Sequence, residues 1–326
     1  MAKLSFAAVS VSALLLAGAA SATPEHFTSA WFFGDSLTDD GNLYDAIGVP
    51  PSPPYYDGRS SNGPVWADYI AEDFSAKGLA NQNYAYAFAT AAGNVDDQFG
   101  GYQVPDLAQQ IASFKADANP LGARPLGLVW IGANDIFGAI EDQIPPVPQT
   151  VGAAAANAAA AVGKGIASLA QEGLKDFLVV NMPGLNLTPA LSGSDDARAL
   201  GAFATGVYNS FLDQALKSLG GAVNIQLVDV NSAFVDMVEN PGDYGLDNVT
   251  QPCLIPPSML LCTPEQAATH LFWDLVHPSG TVHEAIAGLV REDVAPVPLP
   301  ASLVLILVGA AGIFGLGVRG RKARRT

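Results

Sequence analysis

A chain of 326 residues with 49% hydrophobic side chains is long enough to bury a sizeable core, and its 31 acidic against 15 basic residues give a formal net charge of −16. Six of the fifteen cations stand at the two ends, so residues 23–300 keep nine against all 31 acids, a formal −22. A surface of that sign argues against nucleic acid and anionic lipid headgroups as partners and favours solubility outside the cell.

Residues 1–22 read as a signal peptide, with Lys3 as the positive start, an apolar stretch over 4–20, and Ala20-Ser21-Ala22 as a small-residue cleavage site. The mature domain is expected over 23–295. Its first element is a buried strand at 30–33 that stops abruptly at Gly34-Asp35-Ser36-Leu37. Gly34 permits a tight turn that lifts Ser36 to the carboxyl edge of a sheet, where ligands bind in open α/β folds. Ser36 is the candidate nucleophile, although Asp and Ser after Gly also serve as ordinary turn and cap residues. A Pro-rich loop at 50–54 leads into Tyr55-Tyr56-Asp57-Gly58-Arg59-Ser60-Ser61-Asn62-Gly63-Pro64, which is expected to border a substrate cleft. Pro64 fits a first helical position, and Val65, Trp66, Tyr69, Ile70 and Phe74 follow at helical spacing as core residues.

A second strand is expected within 82–88 and an amphipathic helix over 105–116. The apolar run 126–131 reads as a buried strand opening into a loop, Gly132-Ala133-Asn134-Asp135. An alanine-rich helix over 151–172 ends at Gly173, a strand follows at 177–180, and a long helix over 195–219 closes at Gly220-Gly221 before a fifth strand at 223–230. Strands alternating with long helices predict parallel pairing through right-handed crossovers. The expected fold is therefore a three-layer α/β/α sandwich around a five-stranded, mainly parallel sheet, with no internal repeat.

Cys253 and Cys262 lie nine positions apart in a Pro-rich loop, and in an oxidising compartment they are expected to form a disulfide. On the chain-entropy model, closing so short a loop contributes roughly 2.5 to 3 kcal/mol. Neither CxxC spacing nor clustered histidine is present, so no metal is expected. Near the end of the domain stand Asp274 and His277, followed by a helix over 281–291. A serine nucleophile needs a base that titrates near neutral pH, and the base needs a carboxylate to orient it. Asp274, three residues before His277, can bend back to one ring nitrogen while the other faces Ser36. The same two residues are also plausible caps of the last helix. Asn134, like Ser36 just beyond a buried strand, is the candidate side-chain donor to an oxyanion, together with the Ser36 N–H. His26, His270 and His283 are read as surface or satisfied core residues.

Taken together, these blocks resemble the SGNH hydrolases of the GDSL lipase/esterase family over residues 30–290. Gly34-Asp35-Ser36-Leu37 matches the nucleophile block, Gly132-Ala133-Asn134-Asp135 the oxyanion-donor block, and Asp274 to His277 the closing acid and base. The resemblance implies a flavodoxin-like SGNH fold, a Ser36–His277–Asp274 triad, an oxyanion hole from Ser36 and Asn134, no cofactor, and a small acyl-ester or lipid substrate. A carbohydrate deacetylase of the same fold and a non-catalytic surface binding module are the competing readings. One block departs from the pattern: where the family carries paired glycines, this chain reads Asn83-Tyr84-Ala85-Tyr86-Ala87-Phe88-Ala89-Thr90-Ala91. Phe88 or Thr90, depending on the alignment, replaces the second glycine. The expectation is an oxyanion hole narrowed by a side chain and a slow esterase for small acyl groups.

After the domain, Val297-Pro298-Leu299-Pro300-Ala301 precedes an uncharged apolar stretch over 301–318 and then Arg319, Arg321, Lys322, Arg324 and Arg325. The tail, 296–326, resembles a PEP-CTERM sorting signal of the VPLPA type. That resemblance implies export, a transient transmembrane anchor in the inner membrane, cleavage by an exosortase-type processing enzyme, and a destination in the periplasm, at the cell surface or outside the cell.

Overall fold

The computed structural model describes residues 26–294, apart from 94–98, 142–145, 257–258 and 261. The expected leader and sorting tail lie outside those residues. Among the described residues no helix is long and apolar enough to cross a membrane.

The first half of the chain forms β1 (Ser29–Gly34), α1 (Asn42–Ile47), α2 (Trp66–Ser75), β2 (Ala80–Asn83), α3 (Leu107–Asp117), β3 (Pro125–Trp130), α4 (Ala133–Glu141) and α5 (Pro148–Gln171). The second half adds β4 (Asp176–Val180), α6 (Asp195–Ser218), β5 (Asn224–Val228), α7 (Val230–Glu239), β6 (Asn248–Pro252), β7 (Leu254–Ile255), β8 (Met259–Leu260), α8 (Pro264–Ala267), β9 (His270–Phe272) and α9 (Gly280–Val294). Strands β1 to β5 make one parallel sheet in the order β2-β1-β3-β4-β5. Because side chains alternate along a strand, β1 sends Trp31 and Phe33 into one apolar layer and Ala30 and Phe32 into the other. Helices α3, α5 and α6 cover the first layer, and α2, α7 and α9 the second. This is the expected three-layer sandwich. Strands β1, β3 and β4 are buried along their whole length, as expected of parallel strands covered on both faces.

Several local expectations need correction. The second strand, expected within 82–88, lies at Ala80–Asn83, and it ends there because Asn83 turns the chain with its own side chain: Oδ1 accepts from the Ala85 N–H (2.9 Å) and Nδ2 donates to the Thr38 carbonyl (2.7 Å). Helix α2 starts at Trp66, not Pro64, where Asp68 reaches back to accept from the Val65 N–H at 2.8 Å. The fifth strand stops at Val228. Asp229 then caps α7, accepting from the Ser232 N–H at 3.1 Å, so Val230 is helical. The stretch read as a loop at Ala133 to Asp135 is the first turn of α4.

A smaller lobe is built from the C-terminal third. β6 pairs with β9, β7 with β8, and a disulfide joins Cys253 to Cys262 with Cα atoms 5.0 Å apart. Tyr55, Cys253, Leu254, Cys262, Ala267 and Trp273 form its own apolar cluster.

Candidate active site

β1 delivers Ser36 to the carboxyl edge of the sheet. A Cβ on Gly34 would stand 2.7 Å from Thr38 Cβ and 2.7 Å from the Trp130 carbonyl oxygen, so it is close packing that requires glycine here. Gln110, buried and 76 positions away, brackets the same residue: it accepts from the Gly34 N–H (3.0 Å) and donates to the Gly34 carbonyl (2.8 Å). After Gly34 the chain makes one tight turn in which the Thr38 and Asp39 N–H groups both donate to the Asp35 carbonyl at 2.9 Å.

His277 arrives from the segment between β9 and α9. Its Nε2 lies 2.8 Å from Ser36 Oγ across 241 positions of sequence, and its Nδ1 lies 2.8 Å from Asp274 Oδ2 and 3.0 Å from Oδ1. Asp274 is itself held by three donors: the N–H groups of Val276 (2.9 Å) and His277 (2.8 Å) on Oδ1, and the Tyr55 hydroxyl (2.8 Å) on Oδ2. Burial alone would push the His277 imidazole down. The facing Asp274 carboxylate, its hydrogen bond and Asp35 outweigh this and hold it above its ordinary value. For Asp274, burial favours the neutral acid, but His277 and the two backbone donors hold it below the usual carboxylate range.

The loop expected to border the cleft does other work. Ser61 Oγ donates to the Pro278 carbonyl (2.9 Å), and Asn62 Oδ1 accepts from the Gly280 N–H (2.8 Å). A Cβ on Gly63 would stand 3.2 Å from the Gly280 Cα. It clamps the segment that follows His277.

Asn134 shares with Ser36 and His277 the walls of an apolar cleft completed by Leu37, Phe137, Leu185, Phe234 and Phe272. Gly132 makes the strand-to-helix turn possible: its φ is +128°, and a Cβ there would stand 2.5 Å from the Tyr208 ring. Asn134 Nδ2 donates one hydrogen to the Ala89 carbonyl at 2.9 Å, and Asp135 accepts from the Ala91 (2.8 Å) and Ala92 (2.9 Å) N–H groups. On its other side the same loop is tied by Asp39, which accepts from the Ala87 N–H at 2.7 Å, and by Asn42 Nδ2, which donates to the Asn83 and Ala85 carbonyls at 3.1 and 2.9 Å. Within this loop Phe88, not Thr90, adopts the left-handed conformation, with φ +66°. Its ring is 41% exposed, packs edge-on against Phe99 at 5.2 Å between centroids, and is not among the residues lining the cleft. Among the described residues, the expected narrowing by that side chain is not found. The N–H groups of Ser36 and Phe88 enter no hydrogen bond among the described residues.

Two further buried carboxyls flank Ser36 in the sequence, Asp35 and Asp39. Asp39 accepts from the N–H groups of Gly41, Asn42, Leu43 and Ala87, and its burial still holds it above the ordinary range. Asp35 is 1% exposed, and burial pushes it up to about 7 even though Oδ1 accepts from the Leu37 N–H (3.1 Å). Its Oδ2 has no partner among the described residues. His283 lies in the core of α9, accepts from the Trp66 N–H at 3.3 Å, and is pushed down to about 3 by burial, so it is neutral. Among the described residues, the group of His, Cys, Asp or Glu close enough to hold a metal is Cys253, Cys262 and His270, whose two sulfurs are joined in the disulfide. Tyr55, Gln110 and Asp39 are the site residues that the motifs did not reveal.

A model of the GDSL-like Lipase/Acylhydrolase family matches residues 31–290. The phosphatidylcholine-sterol acyltransferase of Aeromonas hydrophila is 26% identical over 231 residues, which cover 70% of this chain and 65% of that protein. An acetylesterase of Thermothelomyces thermophilus is 24% identical over 287 residues, covering 80% of this chain and 86% of the relative. Among solved structures, phospholipase A1 from Streptomyces albidoflavus superposes with a TM-score of 0.45 at 16% identity, covering 82% of this chain and 98% of that one. The chain spans just under two thirds of the length of the Aeromonas protein.

Proposed function

The chain belongs to the GDSL-like lipase/acylhydrolase family, and from that premise we propose that it is a serine hydrolase of carboxylic esters with short acyl groups. The observation that carries this is the continuous line from Ser36 Oγ through His277 to Asp274 Oδ2, with 2.8 Å at each hydrogen bond. In the reaction, Ser36 Oγ attacks the ester carbonyl carbon while His277 Nε2 takes its proton. Asp274 fixes the tautomer that makes Nε2 the acceptor and stabilises the imidazolium that forms. The carbonyl π electrons move onto oxygen, and this oxyanion is met by the N–H group of Ser36 and by Asn134 Nδ2. As the C–O bond to the alcohol breaks, His277 returns the proton to the leaving oxygen. Water, deprotonated by the same imidazole, then frees the acid and Ser36.

Acyl length follows from the room available. The cavity beside Ser36 has a volume of ≈ 40 Å³. One water needs ~10–15 Å³ on that measure, so the narrow space next to Ser36 supports a small acyl group. An acetylesterase among the relatives supports the same class. Hydrolysis of p-nitrophenyl acetate by the wild type and not by Ser36→Ala is the expected result. Equal turnover in the two proteins would refute the assignment.

Export completes the reading. Lys3 and the apolar stretch at 4–20 support a leader removed after residue 22, leaving the hydrolase domain at 23–295. The Pro motif, the apolar span over 301–318 and the five terminal cations support a transient membrane anchor cut by an exosortase-type enzyme. Intact mass of the protein recovered from its cell surface should lack residues 319–326. Their retention would leave a permanent anchor as the better account.

A further inference from the structure

We propose that Tyr55 is a positioning residue of the hydrolytic reaction and that the disulfide-closed lobe seats it against Asp274. This rests on the ester-hydrolase reading above. The phenol reaches the catalytic carboxylate from 219 positions away: its hydroxyl donates to Asp274 Oδ2 at 2.8 Å, the same oxygen that faces His277 Nδ1. Both groups are buried, Tyr55 at 7% and Asp274 at 2% exposure, so water cannot replace this donor without a rearrangement. Asp274 Oδ1 is already occupied by two backbone N–H groups. The Tyr55 hydroxyl therefore sets where the second oxygen points and how much of its charge is left for the imidazole.

The lobe holds the phenol ring from behind. Tyr55 packs with Cys253, Leu254, Cys262, Ala267 and Trp273, and its ring meets the Trp273 indole edge-on at 6.3 Å. The backbone beside the disulfide is bonded to the backbone just before the catalytic acid. Leu254 N–H donates to the Trp273 carbonyl (2.7 Å), Cys253 N–H to the Phe272 carbonyl (3.3 Å), and Trp273 N–H to the His277 carbonyl (2.8 Å). The 253–262 bridge thus closes a frame that contains the ring of Tyr55 on one side and the Asp274–His277 turn on the other. Opening the bridge would free the lobe to move and would act on catalysis through the Tyr55–Asp274 hydrogen bond.

The physical consequence has a sign. A donor on Oδ2 withdraws charge from the carboxylate; without it, Asp274 stabilises the imidazolium more strongly and aims it less well. Tyr55→Phe keeps the ring and its packing on Trp273, so it isolates the hydroxyl. On p-nitrophenyl acetate, kcat should fall about tenfold with KM within twofold, and the acid limb of the pH profile should move to higher pH. A Cys253→Ser/Cys262→Ser variant should show a smaller fall in kcat in the same direction. Adding Tyr55→Phe to it should lower kcat by clearly less than in the wild type, because both changes act on one bond. NMR titration of the His277 ring in the resting proteins gives a readout that needs no turnover: its midpoint should rise in Tyr55→Phe. Were the midpoint to rise while no variant or wild type turned over ester, the positioning role would stand and the reaction assigned to the site would be wrong. A Tyr55→Phe protein with wild-type kcat and an unmoved His277 midpoint overturns the proposal. Fully multiplicative effects of the hydroxyl and the disulfide overturn its second half.

Discussion

The segment that carries the proposed nucleophile, residues 34–39, and the segment that carries the proposed base and acid, residues 272–279, are held by different means. The first continues a central strand. The strand before it is fixed by parallel ladders to β2 and β3 and by apolar layers on both faces, and Gly34 is bracketed by Gln110. The second leaves a three-residue strand and enters a helix, and its position comes from side chains brought in from elsewhere: Tyr55, Ser61, Asn62 and the disulfide lobe. The contrast teaches that the fold places the bond-forming atom with its core, whereas the proton relay is placed by the periphery. The relay is accordingly the part that substitutions distant in sequence should detune.

The sharpest way to break the relay while sparing the nucleophile is Asp274→Asn. It keeps the size of the side chain but removes the charge and permits the wrong imidazole tautomer. A loss on the order of 10⁴-fold in kcat is expected. Since Asp274 is what holds His277 above its ordinary value, the acid limb of any residual activity should move to lower pH. Steady-state kinetics across pH 5 to 9 reads both, and an acid limb moving upward would contradict the electrostatic account. Next in size is Asn134→Ala, which touches neither segment but shares their cleft. Removing one oxyanion donor should lower kcat about 10²–10³-fold. The loss of its bond to the Ala89 carbonyl should loosen the neighbouring loop only locally. A fall confined to KM would reassign Asn134 to ground-state binding.

Much of this arrangement was legible in the residues. Strands such as 126–131 announce themselves as continuous apolar runs bounded by Pro and Gly, and the spacing of Asp274 and His277 lets one carboxylate oxygen take the local backbone donors while both face the ring. What was not legible depends on contacts between distant positions. Tyr55 follows a run of prolines that says only loop, and nothing local marks it as the partner of Asp274. Asn134 and Asp135 have turn-forming side chains, yet both lie in the first turn of α4, where Asp135 serves the N–H groups of another loop. The strand expected within 82–88 ends at Asn83 because Asn83 satisfies its neighbours with its own amide, a competition that a pattern of apolar residues does not show.

A smaller test probes the nucleophile segment through stability. Asp35 has a folded-state pKa of about 7, above the ordinary 3.8, so the folded protein keeps a proton that the unfolded chain gives up. The contribution of Asp35 to stability then falls as pH rises from about 4 to about 7, and Asp35→Asn removes that contribution. The gain in Tm of the variant over wild type should be larger at pH 8 than at pH 4. A difference independent of pH would mean that Asp35 ionises normally. Smallest is the effect of Phe88→Gly. The loop already holds the backbone in the left-handed region, at a cost of about 1 to 2 kcal/mol for a residue other than glycine. Stability should rise by less than that amount, because glycine loses more backbone freedom on folding and the contact with Phe99 goes, while kcat changes less than about threefold and acyl preference stays narrow, because the ring does not line the cleft. A large rise in turnover on long-chain esters would restore the side chain as the limit on the pocket.

The central claim, that the sheet-held Ser36 forms the acyl bond under the control of His277, is tested most directly by covalent labelling. The protein is treated with a fluorophosphonate ester, and the modified peptide is mapped by mass spectrometry in the wild type and in His277→Ala. The account predicts a single adduct on Ser36 in the wild type and almost none in the variant. An adduct on another serine, or equal labelling of Ser36 without the imidazole, would contradict it.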